Sequence, residues 1–148
     1  MKLTILGNNG PYPAAGGACS GYLLTGDHGR TQVLIDCGAG VLSGLSTWIS
    51  WEALDAVILS HLHYDHMSDL LPMQYAMQFH PRPAPLPVFA PATPAPVRAL
   101  LDVPAYDLRP MEEIATVSYT HLDVYKRQGE LRSAGPAQSR SRCPAEAS

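Results

Sequence analysis

Short apolar runs separated by glycine, proline and charged residues occupy the first two thirds of the chain, and this spacing predicts β-strands. Runs of four or five apolar or alternating residues, bounded by turn-forming residues, are typical of half-buried or fully buried strands. A Gly-Asp-His-Gly turn at residues 26–29 separates the second run from the third. The predicted strands span residues 3–6, 21–24, 32–35, 56–59 and 86–90.

Helical spacing of apolar side chains appears between these strands. Residues 67–79 carry apolar side chains at helical intervals and contain Pro72 near their start, where proline is tolerated. Shorter helices are predicted at residues 40–48 and 97–102. The glycine- and proline-rich stretch 8–20 predicts a loop, which either lets the backbone approach a substrate or is a plain connector. Strands that alternate with helices predict an α/β fold in which helices cover the sheet.

The densest group of reactive side chains is the sequence His-Leu-His-Tyr-Asp-His, which follows a predicted strand and Ser60. Neutral imidazole is the commonest protein ligand for metals and suits zinc, whereas a carboxylate oxygen is a harder donor. Because a bound cation offsets the cost of crowding such groups, we predict a metal site. Its predicted ligands are His61, His63, Asp65 and His66. The alternative is a histidine-rich surface loop.

The spacing of these ligands favours two metals over one. In extended backbone alternate side chains point the same way, so His61, His63 and Asp65 are expected to share a direction. His66 follows Asp65 directly and is expected to turn toward a neighbouring point. The predicted division gives His61 and His63 to one metal, and Asp65 and His66 to the other. Paired metals about 3.5–4 Å apart are typical of hydrolytic sites.

These six residues match the His-x-His-x-Asp-His signature, and the sequence resembles the metallo-β-lactamase superfamily, in particular its ribonuclease Z-like branch of bacterial metallohydrolases. The likeness extends beyond the signature to residues 1–7, 20–24, 34–40 and 54–60, which fall where that branch has its first strands. It runs from Met1 to about Thr116. The signature is highly specific, and the flanking strands support it.

The resemblance implies an αββα sandwich, of which this chain holds the N-terminal half only. It implies Zn²⁺ as the cofactor, two ions per complete site, with Mn²⁺ as an alternative. It also implies that Asp65 is catalytic, binding the second metal and orienting the nucleophile. Asp36 would lie behind the metal ligands and accept the N–H of a ligating histidine, which fixes the tautomer of that histidine. The other interpretation of Asp36 is that it caps the helix predicted at 38–48.

The resemblance also requires ligands that lie beyond the signature: a later histidine, a bridging aspartate and a final histidine. After His66 the chain offers only His80 and His121. His80 is interpreted as a residue at the end of a helix, and neither His121 nor Asp123 matches the expected spacing. We therefore expect this chain to be truncated, to bind metal weakly and to show no turnover.

A change of composition near residue 116 divides the chain. Residues 1–116 contain five Lys/Arg and ten Asp/Glu, whereas residues 117–148 contain five Lys/Arg and three Asp/Glu. The second segment is rich in Ser, Ala, Pro, Gly and Arg, a composition that buries too little apolar surface to order itself. Residues 117–128 also resemble a string found at broken ends of assembled reading frames. We expect a disordered or non-native tail; the alternative is a basic tail that binds nucleic acid.

The remaining composition narrows the class of protein. The net charge of −3 gives no general attraction to nucleic acid. Three cysteines without a Cys-x-x-Cys pair argue against a disulfide framework, and Cys19 and Cys37 are expected to be small core residues. Trp48 and Trp51 are expected in or near the core, and His28 in an exposed turn. No signal peptide or membrane span is apparent, so a cytoplasmic location is expected.

Together these patterns predict that the parent protein is a metal-dependent hydrolase, specifically a phosphodiesterase of ribonuclease Z-like type. The alternatives are a thioester, lactone or β-lactam hydrolase of the same superfamily, or a non-catalytic metal-binding module. The expected substrate is a phosphodiester or another small hydrolysable molecule. Nucleic acid and a second copy of the chain, in a homodimer, are further expected partners of the complete enzyme, and a membrane is not.

Overall fold

The computed structural model describes residues 1–114, and these residues form one mixed sheet with short helices. Six strands form the sheet, and their order in it is their order along the chain. The strands are β1 (Lys2–Gly7), β2 (Gly21–Gly26), β3 (Thr31–Ile35), β4 (Ala56–Ile58), β5 (Leu86–Ala90) and β6 (Tyr106–Pro110). The helices are α1 (Val41–Leu45), α2 (Tyr64–Met67), α3 (Leu70–Phe79) and α4 (Ala95–Arg98). Short 3₁₀ helices span Asp27–Gly29, Trp51–Ala53, Ala99–Leu101 and Met111–Glu113.

The sheet changes from antiparallel to parallel at β3. Strands β1, β2 and β3 pair antiparallel, as the predicted hairpin at residues 26–29 requires. Strands β3, β4, β5 and β6 pair parallel, with helical segments in the connections. The carboxyl ends of these four strands therefore lie at one edge of the sheet.

One face of the sheet is buried beneath helices, and we call it the covered face. Its central row is in register across all six strands and consists of Thr4, Leu23, Leu34, Val57, Val88 and Leu108. Side chains from α1, α2 and α3 pack against this row in a single cluster. The buried hydroxyl of Tyr106 donates a hydrogen bond to the Leu70 carbonyl, 2.6 Å away, which ties β6 to the start of α3.

The opposite face, which we call the open face, is also largely apolar but much less buried. It consists of Leu3, Ile5, Tyr22, Leu24, Val33, Ile35, Ile58 and Phe89. Leu3 is 57% exposed and Ile5 is 62% exposed, and the other members are partly buried. At its far end Arg109 pairs with Asp107 and lies 5.7 Å from the Phe89 ring centroid.

The predicted strands are confirmed with small shifts, and the helix boundaries differ more. The helix predicted at 67–79 is two helices, because α2 ends at Met67 and α3 begins at Leu70. The helix predicted at 40–48 is regular only over Val41–Leu45. The prediction at 97–102 covers the end of α4 and a 3₁₀ turn.

Trp48 and strand β6 differ from what the sequence predicts. Trp48 is not in the core: its side chain is 55% exposed, and the Lys2 ammonium lies 4.6 Å from its ring centroid. Strand β6 was not predicted, because Tyr-Asp-Leu-Arg-Pro mixes charge and proline with few apolar residues. Trp51 packs against the core and His28 is exposed, as expected.

Within residues 1–114, no helix has the length and apolar character needed to cross a membrane. The division predicted at residue 116 and the expected character of the tail concern residues outside the described part. His121, Asp123 and Cys143 lie outside it as well.

Candidate metal centre

The candidate ligands lie where two neighbouring parallel strands end. Ile35 of β3 is the register partner of Ile58 of β4, and both strands end at these residues. Asp36 follows the first strand, and Ser60 with His61 follows the second. Because parallel strands end at a common edge of the sheet, polar groups from distant parts of the chain meet here. Crevices at the carboxyl ends of strands are the usual ligand sites of open α/β sheets.

Three imidazole rings converge at this edge. The ring centroids of His61 and His66 are 3.9 Å apart, and those of His61 and His63 are 4.7 Å apart. The carboxylate of Asp65 lies 3.5 Å from Nε2 of His66. The structure therefore brings together all four predicted ligands.

The route to this arrangement differs from the one expected. His63 is the last extended residue, with φ −74° and ψ 151°, and α2 begins at Tyr64. Asp65 and His66 thus project from the first turn of a helix, not from an extended strand. The alternation that was expected to align Asp65 with His61 and His63 does not reach Asp65, since a helix follows a different side-chain period.

A buried carboxylate, that of Asp36, lies behind the imidazoles. Its Oδ2 is 2.7 Å from Nδ1 of His66, and it accepts a hydrogen bond from the Ser20 hydroxyl at 3.1 Å. Ser60 donates to Oδ1 from its backbone N–H at 2.8 Å, and its hydroxyl lies 2.9 Å from both carboxylate oxygens. Asp36 adopts φ +57°, an unusual conformation for a residue with a side chain. Such outliers persist where surrounding contacts fix them.

Backbone hydrogen bonds hold residues 60–66, which carry the predicted ligands, to neighbouring segments. Ser20 donates its N–H to the Asp65 carbonyl at 3.1 Å, and Cys37 donates to the His66 carbonyl at 2.7 Å. Gly38 packs so closely that a Cβ there would lie 1.9 Å from the Asp65 carbonyl oxygen. At Gly10, a Cβ would lie 2.9 Å from Oδ2 of Asp65, so the loop after β1 passes next to this carboxylate. Both glycines permit approaches that a larger residue would block.

The capping alternative for Asp36 is wrong, since Asp69 makes the contact instead. Oδ2 of Asp69 accepts the N–H of Leu42 in α1 at 2.9 Å, and the Asp69 N–H donates to the Cys37 carbonyl at 3.0 Å. Burial raises the pKa of the Asp69 carboxyl, and hydrogen bonds from the N–H groups of Leu42, Gly40 and Val41 partly oppose this shift. Asp69 therefore joins α1 to the segment that follows the ligands.

The other candidate donors are two buried thiols and the histidine that ends α3. Cys19 and Cys37 are free thiols buried in the core, as expected. Burial is the main cause that raises the pKa of both thiols, so they remain protonated near neutral pH. His80 is the residue that ends α3 and is exposed, also as expected.

The cluster does not close around a metal ion in this structure. Within the part of the chain that the structure describes, no group of three or more His, Cys, Asp or Glu side chains is arranged to enclose a metal ion. The rings are nevertheless adjacent, and Asp36 contacts Nδ1 of His66 while Nε2 of that ring lies 3.5 Å from Oδ2 of Asp65. The donor set suits zinc chemically, and its closure around an ion is incomplete.

Ser60, Ser20 and Asp69 were given no role by the sequence analysis. Ser60 directly precedes the signature, and a hydroxyl at that position is a signal that could have been used. Ser20 lies 16 residues before Asp36 along the chain, and its contact arises only when β2 pairs with β3. Asp69 carries the side chain of a typical helix cap, but the helix that it caps lies 27 residues earlier.

Comparison with known proteins yields a consistent set of relatives. A model of the beta-lactamase superfamily domain matches residues 31–133, a range that extends past Thr116. A probable metallo-hydrolase, YhfI of Bacillus subtilis, is 49% identical over 79 residues, which cover 53% of this chain and 31% of the relative. Ribonuclease Z of Mycobacterium bovis is 34% identical over 113 residues, which cover 73% of this chain and 40% of the relative.

Two solved structures are similar to this chain. The crystal structure of the metallo-beta-lactamase fold protein YhfI from Bacillus subtilis superposes with a TM-score of 0.67 at 37% identity, covering 73% of this chain and 44% of that one. The short form of human tRNase Z superposes with a TM-score of 0.61 at 19% identity, covering 74% of this chain and 45% of that one, a likeness of fold. The chain thus spans less than half the length of these relatives.

Proposed function

Because the chain belongs to the beta-lactamase superfamily, we propose that it supplies the first metal ligands of a metal-dependent hydrolase, and that the whole enzyme is a phosphodiesterase. The adjacency of three imidazole rings at the carboxyl ends of β3 and β4, with one ring bonded to the buried carboxylate of Asp36, is the observation that supports this proposal most. Relatives named as a metallo-hydrolase and as ribonuclease Z favour the same chemistry.

The proposed cofactor is Zn²⁺, two ions in the complete site, with Mn²⁺ as the alternative. His61 and His63 would hold one ion, and Asp65 and His66 the other, because imidazole and carboxylate donors suit this pair of metals. The remaining ligands would come from the part of the whole enzyme that this chain, at less than half the length of its relatives, does not span. In the same way, a second sheet of the αββα sandwich would cover the open face.

Each residue of the cluster has a proposed task. Asp36 accepts the Nδ1 proton of His66 and so directs Nε2 of that ring outward. Asp65 orients the attacking water, and its backbone is held by Ser20 and Gly38. When bound, the metal ions supply a water of lowered pKa and polarise the scissile oxygen. Gly10 lies beside Asp65, so the loop after β1 forms one wall of the substrate cleft.

The proposed substrate class is a phosphodiester, with RNA as the macromolecular case. Ribonuclease Z of Mycobacterium bovis matches a larger share of this chain than the metallo-hydrolase YhfI does. This favours phosphodiester over thioester, lactone or β-lactam chemistry. Residues 1–116, with five basic and ten acidic residues, add no electrostatic attraction for RNA. Affinity for a polyanion would thus rest on the metal ions and on other parts of the enzyme. A cytoplasmic location and a homodimer complete the proposal.

The experiment that tests the metal assignment uses the 148-residue chain. Zinc retained after dialysis is measured by atomic absorption for the parent chain, for a His61→Ala/His63→Ala variant and for a His80→Ala control. The double variant should lose its zinc, whereas the control should retain it, because His80 ends α3 away from the cluster. Equal zinc in the double variant and the parent would contradict the assignment.

The activity test compares this chain with the full natural reading frame. The 148-residue chain should hydrolyse bis(p-nitrophenyl) phosphate negligibly, since misplaced catalytic groups can cost about a hundredfold in rate. The full protein should hydrolyse it with Zn²⁺ or Mn²⁺ and lose this activity on Asp65→Ala, with Asp102→Ala, an exposed carboxylate, as the matched control. Cleavage of only thioesters, lactones or β-lactams would move the function to that class. Zinc binding without any hydrolysis would favour a binding module.

A further inference from the structure

The hydroxyl of Ser60 lies between the buried carboxylate of Asp36 and the imidazole ring of His61. Its Oγ is 2.9 Å from both oxygens of Asp36 and 3.1 Å from Nδ1 of His61. The same Oγ is 3.4 Å from Nδ1 of His66, a ring already paired with Asp36 at 2.7 Å. Ser60 is thus the link between Asp36 and His61.

Counting hydrogens assigns a direction to each of these contacts. A carboxylate only accepts hydrogen bonds, and a serine hydroxyl has one hydrogen to give. The Ser60 hydrogen therefore goes to Asp36, and Ser60 Oγ accepts at its other side. The group available to donate there is an N–H on Nδ1 of His61, which places the unprotonated nitrogen of that ring at Nε2.

We infer that Ser60 is a positioning residue, which carries the effect of Asp36 to His61 and holds this ring in the tautomer that binds a metal through Nε2. One buried carboxylate then orients two ligands, His66 directly and His61 through the hydroxyl. This inference rests on the proposed metal-dependent function for its purpose, and on the hydrogen-bond geometry for its content.

A purely structural role for Ser60 would rest on its backbone. The Ser60 N–H donates to Oδ1 of Asp36 at 2.8 Å, and this bond survives replacement of the side chain. Ser60→Ala therefore removes the hydroxyl and leaves the tie between the ends of β3 and β4. Ser60→Thr restores a hydroxyl at the same place. Ser20→Ala is the matched control, because the Ser20 hydroxyl also donates to Asp36, at 3.1 Å, and the structure gives it no bond to an imidazole.

Two measurements test the inference. Long-range ¹H–¹⁵N correlation spectra of the metal-free protein at pH 8 report which nitrogen of each histidine carries the proton. Competition with a chromophoric chelator gives the zinc dissociation constant. Ser60→Ala should raise the Nε2–H population of His61, leave the His66 tautomer unchanged and weaken zinc binding about tenfold, as expected for outer ligand partners. Ser60→Thr should restore both values, and Ser20→Ala should leave the His61 tautomer at its parent value.

The outcomes separate this inference from the proposed function. A Ser60→Ala variant with the parent's His61 tautomer would overturn the inference, even if zinc still binds. A parent chain that binds no zinc would contradict the proposed function, and the spectra would still decide the role of Ser60. An equal shift of the His61 tautomer in Ser20→Ala would also overturn the inference. It would show that the loss of any hydrogen bond to Asp36 has the same effect.

Discussion

The two faces of the sheet have similar apolar content and very different burial. Leu34 on the covered face is fully buried, whereas Ile5 on the open face is 62% exposed. Both faces carry apolar side chains in register across neighbouring strands. Single exposed apolar residues are ordinary, but a contiguous apolar patch marks a surface that another layer or partner covers. The contrast teaches that the pattern of a strand predicts which side chains share a face, and not which face is covered.

The largest expected difference between the faces is in stability. Leu34→Ala should lower the free energy of unfolding by about 3 kcal/mol, because it removes buried methyl groups and leaves a cavity. Ile5→Ala should change it by less than about 0.5 kcal/mol, as is usual for exposed positions. Urea denaturation followed by circular dichroism measures both values. Equal losses at the two positions would mean that the open face is packed as tightly as the covered one.

The next effect concerns association of the chain with itself. Leu3→Lys combined with Ile5→Lys places two charges on the open face and should reduce the self-association measured by sedimentation velocity. Stability should change little, since both side chains are mostly exposed. Leu100→Lys is the matched control, as Leu100 is an exposed leucine on a 3₁₀ helix. Association that persists in the double variant and disappears in the control would refute a special role for the open face.

The smallest expected effect is a pH dependence of the free energy of unfolding, caused by Asp69 on the helix-covered side of the sheet. Burial raises the pKa of Asp69, so the folded state disfavours the charged carboxylate. The stability that this group contributes is complete below its unfolded pKa of about 4 and declines as the pH rises through the folded pKa. Asp69→Asn keeps an oxygen that can accept the Leu42 N–H and removes the charge.

The stability of Asp69→Asn relative to the parent should therefore increase as the pH rises from about 4 through the raised folded pKa. The change should stay below about 1 kcal/mol, because solvent screens a half-buried group. Urea denaturation at several pH values measures it, with Asp102→Asn, an exposed carboxyl, as the control. A difference between Asp69→Asn and the parent that does not vary with pH would contradict the assignment.

The strands could be predicted from the sequence where apolar runs are long, and not where charge interrupts them. Strands β1 to β5 follow such runs, whereas Asp107 and Arg109 mask β6. Tertiary pairing with β5 decides the conformation there, and local propensity does not. Trp48 shows the converse limit, since its size predicts burial and its position three residues after the end of α1 leaves it exposed beside Lys2.

The candidate site also has a part that the sequence predicts and a part that it does not. The signature residues adjoin one another along the chain, so the sequence alone was enough to group His61, His63, Asp65 and His66. The hydroxyls of Ser20 and Ser60 both donate hydrogen bonds to Asp36, and these contacts depend on which strands pair. Sequence separation hides such contacts, because a single chain without register information does not say which loops meet.

The order of the strands also bears on how the chain is made. Each strand pairs with the one that precedes it along the sequence, from β1 to β6. A nascent chain that leaves the ribosome from its N-terminus can therefore add strands one at a time, and none has to wait for a distant partner. The hydrogen bonds described for residues 60–66 join only residues that precede β5 along the chain, so they can form before β5 and β6 have left the ribosome. We expect the imidazole cluster to assemble during synthesis, with only part of the sheet in place.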